Sequence, residues 1–210
     1  MPAYSNFENH SPTRTATAST ATTSTTNANA TPATATSSTS TLLTDATAHL
    51  LAVDPSLKTV IDAHHCRIFD PEGLAEEIDP FRSLASGIMA QQVSGAAASS
   101  IKNKFIGLFS AQEGHNGPPH FPPPALVAGT KIEVLRQAGL SLRKAEYIQG
   151  LAEKFRDGEL SAALLAAGTD DEVMERLVAV RGLGKWSVEM FCCFGLKRMD
   201  VFSTGDLGVQ

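Results

Sequence analysis

The 210-residue chain is poor in cysteine, tryptophan and charge, with three Cys, one Trp and 19% charged residues. Three cysteines, two of them adjacent, make a poor disulfide framework and indicate a reducing compartment. No stretch approaches the roughly 20 apolar residues that a membrane-spanning helix needs, so no membrane partner is expected. The first residues carry no apolar run after a basic start, so no secretory signal peptide is expected.

Basic residues are also too few to balance the acidic ones, and the formal net charge is −5. Taken alone, this charge argues against a nucleic-acid partner. Residues 41–130 hold 5 basic and 9 acidic side chains, and residues 131–210 hold 11 and 12. Since no part of the chain is a basic tail, nucleic acid could be bound only through a small local site and backbone amides.

Residues 11–40 form a segment of very low complexity, in which 25 of 30 residues are Thr, Ser or Ala and the one charge is Arg14. Such a segment has too little apolar surface to offset the entropy cost of ordering it. We therefore predict a disordered tail over residues 1–44 and one helical domain over residues 45–210. About 165 residues then remain, which is enough for one core.

From residue 45 onward the sequence predicts an all-α fold, because alternating apolar and polar runs are absent. One long helix is predicted to start near Pro80 and to continue past Phe105, with small residues at 95–100 that suit close approach of another helix. Prolines and glycines predict a surface loop over residues 111–124. Other helices are predicted near 46–53, 57–68, 131–138, after Ser141, over 161–167, after an Asp170 or Asp171 cap, and over 186–196.

A short hairpin is predicted where LVAVRGLGKWSVEMFCCF spans residues 177–194. Gly182 and Gly184 flank Leu183, and such a pair can turn tightly with backbone N–H groups facing outward. At the start of the next helix those amides can bind an anion such as phosphate, with Lys185 adding charge. A side chain at either glycine would strain the backbone and stand between amide and phosphate. A plain helix–helix turn is an equally good interpretation of this segment alone.

A carboxylate follows this segment at Asp206, twenty-two residues after Gly184. Ser203, Thr204 and Gly205 precede it, so Asp206 is expected where a loop gives way to a new helix. The helix dipole and free amides would keep the carboxylate ionised. A simple N-cap is the commoner role for such a residue, but an ionised carboxylate beside a phosphate-binding hairpin also suits cleavage of a glycosidic bond in DNA.

Four stretches together resemble the helix-hairpin-helix (HhH-GPD) DNA glycosylases, and most closely their alkylbase branch, the 3-methyladenine DNA glycosylases. They read SLASGIMAQQVSGAAASSI (83–101), LRQAGLSLRKAEYIQGLA (135–152), LVAVRGLGKWSVEM (177–190) and DVFSTGDLGVQ (200–210). The resemblance implies a multi-helix glycosylase fold, no cofactor, no metal, and a partner that is double-stranded DNA with alkylated bases. We also expect a monomer, and the tail favours a nuclear protein.

The resemblance implies roles for individual residues. Asp206 falls on the family's catalytic aspartate, and Gly182 and Gly184 fall on the glycines that contact DNA phosphate, next to Lys185. Gln92 falls where the family places the side chain that fills the gap left by an extruded nucleotide. The alternative for Gln92 is a polar residue that faces solvent on the long helix.

Trp186 occupies the position at which strand-cutting members of the family carry a nucleophilic lysine. Lys185 is one residue away, which turns its side chain by about 100° on a helix. The resemblance therefore implies a monofunctional enzyme of base excision repair. It would flip out alkylated purines and hydrolyse the N-glycosidic bond with help from Asp206. Trp186 either lines the base pocket or packs in the core.

The chain departs from the family pattern in two places, since Arg181 replaces the usual proline and Val188 replaces a small alanine. The family continues past its aspartate, so the chain is expected to be truncated at its C-terminus. A second hypothesis is a non-catalytic helix-hairpin-helix DNA-binding or scaffold protein in which Asp206 is only a cap.

Two other groups of candidate ligands receive plainer interpretations. A metal site at residues 64–66, which read His-His-Cys, is disfavoured because adjacent side chains on a helix cannot all face one ion. These three residues are expected on a helix surface. The adjacent Cys192 and Cys193 are expected to pack as small apolar side chains.

Overall fold

The computed structural model describes residues 39–110 and 120–208, and over these ranges the secondary structure is helical. The predicted all-α class is confirmed. The helices are α1 (Leu42–Val53), α2 (Lys58–Ala63), α3 (Pro71–Ala75), α4 (Pro80–Ala90), α5 (Gly95–Ser110), α6 (Pro124–Ala128), α7 (Ile132–Arg136), α8 (Leu142–Arg156), α9 (Ala162–Ala167), α10 (Asp170–Val178) and α11 (Lys185–Phe194).

Within these described ranges, none of the helices is long and apolar enough to cross a membrane. The predicted tail up to residue 38 and residues 111–119 of the predicted loop lie outside them. α1 begins at Leu42, three residues before the predicted start of the domain. The predicted helix over 57–68 is replaced by α2 between two short 3-10 turns, Pro55–Leu57 and Arg67–Phe69.

Helix α8 is the centre of the core and forms as the sequence predicts. The Ser141 hydroxyl accepts the backbone N–H of Lys144 at 3.3 Å and caps the helix. Gly158, with a φ of 78°, follows its other end. The apolar face of α8, including Ile148 and Leu151, is fully buried, and the helix packs against α4, α6 and α7.

An aromatic cluster joins α4, α5 and α8 to the residues that precede α6. Phe81 lies edge-on to Phe121 and Phe155, with ring centroids 5.8 and 5.6 Å apart. Phe105 contacts Phe109 and Phe121 at 5.2 and 5.6 Å. Each buried ring of this kind contributes roughly 1.5–3 kcal/mol through removal of apolar surface from water. This cluster therefore holds α4, α5 and α8 against one another.

The prediction of one long helix is wrong, because a turn at residues 91–94 separates α4 from α5. Gln91, the C-cap, has a ψ of 129° and Gln92 a φ of 55°, so the backbone leaves the α-helical course over these two residues. The Ser94 hydroxyl then accepts the N–H of Ala97 at 3.3 Å and starts the next helix. Residues 95–100 are exposed or half-buried, so the small residues there do not admit another helix. Gln92 accordingly lies in a turn rather than on a helix.

The cap of α10 is also corrected, since Thr169 rather than Asp170 or Asp171 begins the helix. The Thr169 hydroxyl accepts the N–H of Glu172 at 3.3 Å, and the Glu172 carboxylate accepts the N–H of Thr169 at 2.8 Å. This reciprocal capping box satisfies two helix-terminal donors at once. The acidic residues that follow it lie in the first turn, where the helix dipole favours negative charge.

Two adjacent cations after α11 hold distant helix ends in place. Lys197 Nζ donates to the carbonyl oxygens of Gly73 and Glu76, the latter at 2.8 Å, at the end of α3. Arg198 donates to the carbonyl oxygen of Gly168 at 2.7 Å, directly after α9. The Lys197 contacts therefore join α3 to the segment that follows α11.

Candidate functional site

The predicted hairpin is present between α10 and α11. Gly182 has a φ of 95°, and the side chain of Leu183 is buried in the core, as expected for an anchoring residue. Gly184 is the N-cap of α11 and has no side chain to cover the amides of the first turn. The start of α11 is thus a site at which backbone N–H groups and the helix dipole can meet an anion.

The two hairpin glycines are required for different reasons. A Cβ on Gly182 would lie 2.4 Å from the ring of Tyr147, and its φ of 95° is one that side chains rarely adopt. Gly184 has a φ of −88° and open space where a Cβ would lie. The expectation of backbone strain is therefore wrong for Gly184, where only a blocked approach to the amides remains as a reason for glycine.

Asp206 and Trp186 contact each other directly. The indole Nε1 of Trp186 donates to Asp206 Oδ2 at 2.6 Å, and the N–H of Gly208 donates to Asp206 Oδ1 at 2.7 Å. The hydrogen bond from Trp186, and after it the one from Gly208, hold the pKa of Asp206 below its usual value. Both bonds favour the charged form of the carboxylate. A short loop thus presents an ionised acid to Trp186, which lies two residues after Gly184.

One expectation about this pair is corrected. Trp186 is 50% exposed, so the alternative of ordinary core packing is wrong. Asp206 lies between two turns and only two described residues follow it, so the helix expected after it stays a prediction. Within the described residues, the indole of Trp186 and the amide of Gly208 hold the Asp206 carboxylate.

Glu189 links α11 to the loop that carries Asp206. The Ser203 hydroxyl, which is nearly fully buried, donates to Glu189 Oε2 at 2.5 Å. The other oxygen, Oε1, lies 3.7 Å from Lys185 Nζ, one helical turn away. The i,i+4 spacing could have indicated the ion pair with Lys185. The contact with Ser203 crosses between elements, and no local pattern signals it.

Gln92 lies close to the hairpin through its neighbour in the turn. Gln91 Nε2 donates to the carbonyl oxygen of Gly182 at 2.8 Å. Lys144 Nζ, from the first turn of α8, donates to the carbonyl oxygens of Met89 and Gln91 at 2.8 and 2.6 Å. Burial lowers the pKa of Lys144. No local sequence pattern signals these bonds, because their partners are more than fifty residues apart.

The remaining candidate ligands stay apart from this site. The segment 64–66 follows the end of α2 rather than lying on a helix surface, and His65 Nε2 lies 3.0 Å from the carboxylate of Asp70. The part of the chain that the structure describes contains no group of three His, Cys, Asp or Glu residues that could hold a metal. Cys192 is buried as predicted and Cys193 is half-buried, and burial raises the pKa of both thiols.

Comparisons with known proteins point to one family. The family described as "HhH-GPD superfamily base excision DNA repair protein" matches residues 85–210. The DNA-3-methyladenine glycosylase of Saccharomyces cerevisiae is 37% identical over 78% of this chain, and the chain spans 56% of that relative's length. DNA-3-methyladenine glycosylase 1 of Schizosaccharomyces pombe is 30% identical over 81% of this chain and 71% of that protein.

A solved structure shares the fold. It is a 3-methyladenine DNA glycosylase of Schizosaccharomyces pombe in complex with abasic DNA, with a TM-score of 0.61 and 27% identity. The match covers 78% of this chain and 75% of that one. The similarity thus extends beyond the four motifs to the arrangement of the helices.

Proposed function

Because the chain belongs to the HhH-GPD superfamily of base excision DNA repair proteins, and within it to the alkylbase glycosylase branch, we propose that it is a monofunctional DNA glycosylase. Its substrate is double-stranded DNA that contains alkylated purines of the 3-methyladenine type. We also propose that the protein acts as a monomer and, given its substrate and its Thr/Ser/Ala-rich tail, in the nucleus.

The observation that supports this proposal most is the bond between Trp186 and Asp206. It holds an ionised carboxylate beside the start of α11, where phosphate can bind. A base inside a duplex is unreachable, so its nucleotide must first be extruded. The Asp206 carboxylate can then stabilise the positive charge that develops on the sugar as the base leaves, and it can orient the attacking water.

The proposed substrate class follows from the positive charge that alkylation gives to a purine base. Alkylation at N3 or N7 makes a purine cationic, so the base leaves with little assistance from an acid. The exposed half of the Trp186 ring offers an electron-rich surface to such a cation. Gly182, Gly184 and Lys185 would hold the adjacent backbone, mostly through amides, which is compatible with a net charge of −5. Gln92 would fill the space that the extruded nucleotide leaves.

The proposed activity is tested by incubating the full chain with a methylated duplex and measuring free 3-methyladenine by chromatography. Release above the spontaneous rate is expected, and an unmethylated duplex is the control. The alternative function, a non-catalytic DNA-binding or scaffold protein, predicts binding to the same duplex, measured by fluorescence anisotropy, without release of base.

We further expect base release without strand cleavage, because Trp186 stands where a strand-cutting enzyme needs an amine. The nearest lysine, Lys185, has its Nζ 3.7 Å from the Glu189 carboxylate. Borohydride treatment of the protein with damaged duplex should give no covalent adduct on a denaturing gel. A borohydride-stable adduct that disappears in Lys185→Ala would contradict the monofunctional assignment and identify the amine.

A further inference from the structure

The turn between α4 and α5 is held mainly by groups outside it. Its own backbone bonds are long, with Gln91 N to Ile88 O and Val93 N to Ala90 O both at 3.4 Å. Gln92 has a φ of 55°, a conformation that persists in a residue other than glycine only when its surroundings impose it. The local sequence therefore does not explain why this turn has a single shape.

Lys144 supplies one of the external constraints. Its ammonium donates to the carbonyl oxygens of Met89 and Gln91, at 2.8 and 2.6 Å. These are among the last carbonyls of α4 and its cap, groups that have no partner within the helix. A cation at this helix end also complements the dipole, and charged donors form the stronger hydrogen bonds. Lys144 thus fixes the point at which the chain leaves α4.

Gln91 supplies the second constraint, which connects the turn to the hairpin. Its side-chain amide donates to the carbonyl oxygen of Gly182 at 2.8 Å, while the next side chain, Gln92, is exposed. Gln92 and the hairpin are therefore connected through the side chain of Gln91. A change in the position of the turn relative to the hairpin would break this bond.

We propose that Gln91 and Lys144 are positioning residues, which hold Gln92 at a fixed place relative to the Gly182 hairpin. The inference rests on the proposed function, in which Gln92 enters the gap left by an extruded nucleotide while the hairpin holds the backbone. With both parts fixed before binding, the DNA meets a preformed surface and less ordering is required on association. A side chain can fill such a gap efficiently only when its supporting residues fix it within a fraction of an ångström.

The test uses the full chain and a duplex that carries 2-aminopurine next to an abasic-site analogue. The change in 2-aminopurine fluorescence at saturating protein reports the side chain in the gap, and anisotropy reports affinity. Gln91→Glu and Lys144→Met should each reduce the fluorescence change at least about twofold, as the population with a correctly placed Gln92 falls. Affinity, which the hairpin also supplies, should fall less than the fluorescence change does.

Two control variants separate the possible outcomes. Gln149→Leu removes a comparable bond on the same helix, from Gln149 Nε2 to the carbonyl oxygen of Thr130 at 2.7 Å, and should leave the fluorescence change intact. Gln92→Ala should abolish it. Gln91→Glu conserves the shape of the side chain, so it decides the question if Lys144→Met does not fold.

The two proposals fail in different ways. If Gln92→Ala abolishes the fluorescence change while Gln91→Glu and Lys144→Met retain all of it, the positioning inference is wrong and the role of Gln92 stands. If Gln92→Ala itself retains the change, the role given to Gln92 in the proposed function is wrong, and the inference fails with it.

Discussion

Replacing Asp206 by asparagine should reduce the release of 3-methyladenine by about 100-fold or more, which is the scale of a positioned acid–base group. The amide retains the size of the carboxylate, and its oxygen can still accept the indole N–H of Trp186, although its NH2 group then replaces the oxygen that accepts the N–H of Gly208. It lacks the negative charge that stabilises a cationic sugar. Release from a methylated duplex under single-turnover conditions, quantified by chromatography, measures the effect.

Two controls make this result specific. The Asp206→Asn variant should bind an abasic duplex as tightly as the unmodified chain, because the hairpin is unchanged. Trp186→Phe removes the hydrogen bond that lowers the pKa of Asp206 most. That pKa should then rise, so the acidic limb of the rate profile moves to higher pH. Undiminished release by Asp206→Asn would exclude this carboxylate from the chemistry.

A valine at Gly182 should weaken DNA binding tenfold or more and also lower the stability of the fold. Its side chain would meet the ring of Tyr147 and would require a φ that β-branched residues avoid. Each charge-assisted hydrogen bond to phosphate that is lost costs about 1.5–3 kcal/mol. Anisotropy titrations across a salt series, together with thermal unfolding, measure the two losses separately.

Gly184→Val is the matched comparison for the valine substitution at Gly182, since Gly184 has an ordinary φ and open space for a side chain. Valine is a poorer N-cap residue than glycine, but the fold should lose less stability than in Gly182→Val, so a loss of affinity would report mainly the blocked amides. Lys185→Ala should weaken binding modestly and reduce the salt slope by about one phosphate contact. If Gly184→Val binds with unchanged affinity and salt slope, the hairpin is only a turn between two helices.

Much of the fold could be predicted because its signals are local. The Ser141 cap, the apolar face of α8 and Gly158 lie within or directly beside one helix, where spacing and capping rules act directly. The Gly-Leu-Gly hairpin was predictable for the same reason. The cap of α10 was misplaced by one or two residues, because Asp170 and Asp171 compete with Thr169 as plausible caps and only the reciprocal bond with Glu172 decides.

The candidate site was only partly predictable, because its contacts join distant residues. The helical spacing of apolar residues continues on both sides of the turn at Gln92, so this spacing does not reveal the break between α4 and α5. The bond from Gln91 to Gly182 and the bond from Trp186 to Asp206 depend on packing between separate helices and loops. Sequence similarity indicated Asp206, but the residue that holds its carboxylate emerged only from the geometry.

The bond between Gln91 and Gly182 joins residues 91 positions apart, which sets an order of events during synthesis. At about 5–20 residues per second, the ribosome completes the hairpin roughly 5–20 seconds after it completes the turn. Lys144 is available sooner, only 53 positions after Gln91. The residues of α4, α5 and α8 are therefore all synthesised before Gly182, whereas the core that they share with Leu183, Val188 and Phe191 is completed only after the hairpin has been made.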